Sequence, residues 1–230
     1  VIADKNAFLE KCRTGDAFTD YYYIADVKAT SDASQRKYIL EGYLAPNTYE
    51  VYMDASDEDI IRKLLSQTEA EFPAEYQNRA TELGMSMDEV LTLASLIEKE
   101  AKEADFTKVS AVFHNRLKQN IKLGSDVTIH YITGVRKMSL TNSDLQVDSP
   151  YNTYLYAGLP IGPICNPSPK AIAAALYPDE TYVAENYLFF CSKDPESGEL
   201  YFSKTQEEHD QAVAIYAPLW KAYDESRGIE

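Results

Sequence analysis

The stretch "LTLASLIEKEAK", Leu91–Lys102, decides how this chain is read. Ser86 and Glu89 stand three apart just ahead of it, the spacing of a capping box, so a helix is expected to begin there. Its apolar residues recur as one face of a buried helix, and the run then meets two acids, Glu98 and Glu100. With about 100° of turn per residue, Glu98 follows Ala94 and Ser95, a small and partly polar surface. Glu100 follows Leu96 and Ile97, at the edge of the bulkiest apolar stripe, while Lys99, Lys102 and Glu103 take the opposite side. A carboxyl against apolar neighbours loses solvation of its charged form, which raises its pKa and suits a general acid at neutral pH. Glu100 is therefore the candidate acid; the plain alternative is the solvated end of an ordinary core helix.

Working outward, Asn6 to Arg13 carries a short helical pattern, and "DYYYIADVKATSDAS" has no clear period. Gly42, Pro46 and Asn47 punctuate "ILEGYLAPNTYEVY" as a loop threading past the core. Ser56 opens a helix with acids in its first turn, running to about Ala80 with a kink or break at Pro73. Another helix is expected from about Thr107 to Gln119, ended by "NIKLGSD". Prolines and glycines between Ser139 and Pro169 predict a shaped, rigid loop, after which Ser168 and Pro169 start a helix through Leu176. "NYLFFCS" and "LYFSK" read as a hairpin across "KDPESGE". Thr205 and Glu208 form another capping box, opening a terminal helix to about Tyr223. The fold class is α+β, mainly helical with a small sheet near the C-terminus. Residues 1–38 read as a segment leading into a domain over 39–230.

A hydrophobic fraction of 45% over 230 residues supports a folded core. The 37 acidic against 22 basic residues, a net charge of −15, argue against nucleic acid as a partner. No run approaches the roughly 20 apolar residues needed to cross a bilayer. Cys12, Cys165 and Cys191 lack zinc spacing, which leaves one bridge plus a thiol, or three thiols. His114, His130 and His209 show no metal spacing, so neither metal nor cofactor is expected. GxSxG and HExxH are both missing, which disfavours serine and metal hydrolases.

"LASLIEKEA", "VSAVFHNRLKQNIKLGSDVTIHY", "SPYNTYLYAGLPIGPICNPSPKAIAAALYP" and "YLFFCSK…YFSKTQEEH" occur in that order, with "EGYLAPNTYE" upstream. Together they resemble the endolytic murein transglycosylase family, also called MltG or YceG-like, over about Ile39 to His209. Departures are Asn47 where the family often has Asp, Ala45 where it has Phe, Gly124 for Gln and Val127 for Pro.

The resemblance implies an extracytoplasmic lyase that cuts the MurNAc–GlcNAc bond inside nascent peptidoglycan strands, leaves 1,6-anhydro ends and so terminates strand elongation. It maps the family's catalytic acid, the second of "EKE", onto Glu100. Asn115, Asp126, Tyr151, Asn152, Tyr154 and Asn166 become candidates for substrate binding. Three of them also have a plainer reading, Asn115 as a helix-end or loop brace, Asp126 as an N-cap and Tyr154 as core, and His209, in a matched motif, reads as a hydrogen bond holding the fold. Family partners are glycan strands and penicillin-binding synthases, and an N-terminal anchor would place the full-length protein in the cell membrane with this portion facing the wall. Competing readings are a non-catalytic glycan-binding module, or a water-using glycoside hydrolase with Asp126 or Asp144 as its second carboxylate.

Overall fold

The computed structural model describes residues 2–229, so the outer limits of the two expected segments, 1 and 230, lie outside it. The chain divides into two compact units, Val1–Ser95 with Ile161–Leu176, and Leu96–Pro160 with Tyr177–Glu230.

The first unit contains α1 (Lys5–Thr14), α2 (Tyr22–Ala29), α3 (Asp57–Glu71), α4 (Ala74–Leu83), the start of α5 (Met87–Glu100) and α8 (Pro169–Leu176). Pro73 is a full break: its missing N–H and fixed φ suit the residue before a new helix, and it sits at the N-cap of α4. Ser56 and Asp59 cap α3 reciprocally, and Ser86 and Glu89 do the same for α5. Phe18, Ile24, Leu40, Tyr43, Ile61 and Leu65 are fully buried. The loop around Gly42 is pinned by its neighbours. Gly42 has φ 91°, and a Cβ there would lie 2.3 Å from Pro163 Cγ, so only glycine fits.

The second unit takes the end of α5, then α6 (Phe106–Lys118), α7 (Asp126–Thr133), α9 (Glu180–Ala184), β1 (Phe189–Asp194), β2 (Glu199–Ser203) and α10 (Gln206–Ser226). β1 and β2 pair antiparallel as the expected hairpin, with Cys191 opposite Tyr201. Leu96, Ile97, Val109, Val112 and Phe113 are fully buried. Thr205 and Glu208 cap α10, and Trp220 Nε1 donates to the carbonyl of Ser192 at 2.9 Å, fastening the helix to β1. Neither α7 nor α9 is foreshadowed by apolar period. The mainly helical α+β class holds. Cys12 and Cys191 stand as buried thiols, each pushed up to about 11 by burial, so neither is a thiolate nucleophile at neutral pH.

Candidate active site

The second unit carries a partly open cavity of about 320 Å³ whose lining includes Glu100, Asp126 and Tyr154. α5 delivers Glu100 as its last helical residue, half-buried, one turn after the fully buried pair Leu96 and Ile97. Burial is the largest cause of a pKa pushed up to about 8, and the neighbouring Asp126 charge raises it further. Three smaller influences oppose this: the Ser125 hydroxyl, the Val127 backbone N–H and the Arg116 guanidinium.

Ser125 explains how the carboxyl is aimed. It is the N-cap residue of α7, yet it makes no side-chain cap bond. Its hydroxyl donates instead to Glu100 Oε1. Its backbone N–H donates to Thr153 Oγ1 at 2.9 Å, and Gly124 N donates to the Thr153 carbonyl at 3.1 Å. Thr153 thereby holds the "GSD" turn against "SPYNTY". Gly124, at φ 55°, has Arg116 and Tyr154 as its side-chain neighbours, so the turn bends between them.

Asp126 is the first residue of α7, not its cap. The Tyr154 hydroxyl donates to its Oδ1. Burial holds the Asp126 carboxyl above the usual range, and the Tyr154 bond pulls the other way. Burial and the Asp126 charge likewise raise the Tyr154 phenol, so it remains a donor. Arg116 gives its guanidinium to three carbonyls, those of Leu188 (2.5 Å), Leu123 (2.9 Å) and Lys122 (3.0 Å), and stacks over Phe189.

Other candidates serve the backbone. Asn115 is buried, and its Nδ2 donates to the carbonyls of Tyr182 at 3.1 Å and Tyr187 at 2.9 Å. Asn152 Nδ2 donates to Leu145 and Val147, while its Oδ1 accepts from Tyr154 N at 2.8 Å, so it sets the course of the chain at Tyr154. Tyr151 is buried with its ring 4.9 Å from that of Tyr131. None of these three lines the cavity. Asn166 belongs to the first unit, where its Oδ1 accepts from Gly42 N at 2.8 Å and Leu44 N at 3.2 Å. Asp144 is engaged by Lys137 and Thr141, which together draw its carboxyl down to about 2.

Ser125, Thr153, Arg116 and Arg136 carry no expected role from the sequence, and Lys99, set by helical spacing on the side opposite Glu100, instead lines the same cavity. The first two lie inside quoted motifs, where a small hydroxyl gives no periodic signal. His209 differs from its expected role: it lines the cavity, its ring stacks on Phe189, and its Nδ1 has no hydrogen-bond partner among the described residues. Among those residues no group of three or more His, Cys, Asp or Glu side chains is arranged to hold a metal ion, and no helix is long and apolar enough to cross a membrane.

A family model described as YceG-like matches residues 5–215. The chain is 43% identical over 182 residues to an endolytic murein transglycosylase of Bacillus subtilis, covering 78% of this chain and 49% of that protein. It is 33% identical over 218 residues to one of Streptococcus pneumoniae, covering 90% and 38%. It thus spans half or less of the length of these relatives. A crystal structure of a yceG-like protein from Listeria monocytogenes superposes with a TM-score of 0.75 at 38% identity, covering 90% of this chain and 67% of the other.

Proposed function

Because the chain belongs to the YceG-like family, we propose that it is the cutting portion of an endolytic murein transglycosylase, with Glu100 as the acid. The observation that carries this reading is a carboxyl pushed up to about 8 inside a cavity, with a serine hydroxyl holding its orientation. At neutral pH such a group is mostly protonated, and that is the form needed to donate to a glycosidic oxygen.

The proton balance needs one carboxyl. Glu100 gives its proton to the oxygen that leaves with GlcNAc as the bond to the MurNAc anomeric carbon breaks. The MurNAc 6-hydroxyl then attacks that carbon and returns its proton to Glu100, which closes a 1,6-anhydro ring without consuming water. Positive charge developing on the sugar would be eased by oriented dipoles nearby. Asp126, with Tyr154 bonded to it, would fix the local field. On this reading the domain works on the wall-facing side of the cell membrane, held there by an N-terminal anchor, with nascent strands as substrate and penicillin-binding synthases as partners.

A second reading is favoured by one observation: Asp126 lines the same cavity as Glu100. Two facing carboxylates are what a water-using glycosidase needs. Digestion of purified glycan strands with wild type and Glu100→Gln, followed by mass analysis of the ends, separates the readings. Anhydro ends from wild type, with a rate loss of at least about a hundredfold in the variant, are expected. Reducing ends would assign hydrolysis, and a variant as active as wild type would remove Glu100 from the mechanism.

A further inference from the structure

The cavity around Glu100 is charged against the grain of the molecule. In a chain with 37 acids and 22 bases, its lining carries Lys99, Arg116, Arg136 and Lys137 against only Glu100 and Asp126. Two of the cations are already committed. Arg116 serves backbone carbonyls, and Lys137 Nζ lies 2.8 Å from Asp144. Lys99 and Arg136 are exposed, and neither has an ion pair or hydrogen bond among the described residues.

Arg136 does not sit on a loose end. Asp224 on α10 accepts from Met138 N at 2.9 Å and from Ser139 N at 2.8 Å. His130 Nε2 donates to the Lys137 carbonyl at 2.8 Å. The turn after α7 is therefore clamped from both sides, which keeps Arg136 at the cavity. Lys99 immediately precedes Glu100 on α5 and is held by the helix backbone.

In a strand that bears stems the lactyl carboxyls are amides, so its sugar backbone is neutral and gives these cations nothing to neutralise. We propose that Lys99 and Arg136 bind carboxylates of the peptide stems carried by the MurNAc units, so that the cavity selects strands that bear stems. This rests on the glycan-cutting reading and names the part of the substrate that reading leaves open. An acidic surface repels such groups elsewhere, so a cation-rich cavity also steers them inward.

Binding in the Glu100→Gln protein tests the assignment, because the ligand then stays whole. Three soluble MurNAc-containing tetrasaccharides are titrated calorimetrically at low salt: one with stems whose carboxylates are free, one with those carboxylates converted to amides, and one without stems. The free-carboxylate ligand is expected to bind roughly three- to tenfold tighter than the amidated one, as two exposed ion pairs would give. Adding K99A and R136A, both at exposed positions, should bring that ratio close to one. Equal affinity for free and amidated stems overturns the proposal, as does a ratio that survives the double substitution, or absence of binding by all three. Stem-free sugar binding as tightly as the free-carboxylate ligand would assign the cations to the lactyl carboxylate and overturn it too. Failure of the cutting reading is registered separately, as wild type that releases no ends from strands.

Discussion

Glu100 is held above the usual carboxylate range because burial at the end of α5 penalises its charge more than nearby donors stabilise it. Ser125 is the donor most open to test. Its hydroxyl bonds to the charged form more strongly than to the acid, so it lowers the pKa, and Ser125→Ala should let the carboxyl rise further. The alkaline limb of kcat/KM reports the acid of the free enzyme, so it should move to higher pH by roughly half a unit to one unit, the worth of one net hydrogen bond. A limb that stays in place would mean that Ser125 does not govern the acid. At this scale the position of Glu100 was legible, since helical spacing alone sets it beside Leu96 and Ile97. What Ser125 does was not, because it depends on a turn held by Thr153, many residues along the chain.

Elements were legible wherever a short-range rule governs them. The boxes Ser86–Glu89 and Thr205–Glu208 form as their spacing predicts. Pro73 ends one helix and precedes the next. Beyond a candidate N-cap at Asp126 the helix α7 is not marked by its own sequence, because "DVTIHYIT" is rich in β-branched residues, whose propensity argues weakly against a helix until packing overrides it. The long α10 has a task that its own pattern does not reveal. Asp224, 5% exposed, accepts from two successive backbone N–H groups of the turn after α7. Asp224→Ala leaves both donors without that acceptor and should cost about 1–3 kcal/mol, measured by urea unfolding. A loss below a few tenths would show that water replaces the carboxylate freely.

For the whole molecule, the proton held by Glu100 links stability to pH. The native state binds this proton more tightly than the unfolded chain, whose carboxyl titrates near 4.5. The associated stabilisation is complete below that value and is lost as pH rises to about 8. Glu100→Gln cannot ionise and escapes the loss. Its stability relative to wild type should therefore climb between pH 5 and 8, by about 1.4 kcal/mol per unit at most. Thermal unfolding of the pair across that range checks the sign: a difference independent of pH would mean that Glu100 titrates normally. Every other charged residue is common to both proteins, so its titration cancels in the comparison.

Local periodicity and capping by themselves determined a mainly helical chain, a hairpin near its end, and an acid at the edge of an apolar stripe. Each of these follows from which residues lie within about four positions of one another, and that is written in their order. Tertiary structure alone decided where the polar side chains spend their hydrogen bonds. Asn115, Asn152 and Asn166 went to main-chain groups and the Ser125 hydroxyl went to Glu100, whereas Lys99 and Arg136 line the cavity with no partner among the described residues. A buried amide bonds whichever backbone group the packed chain brings within about 3 Å, and no local pattern specifies that partner.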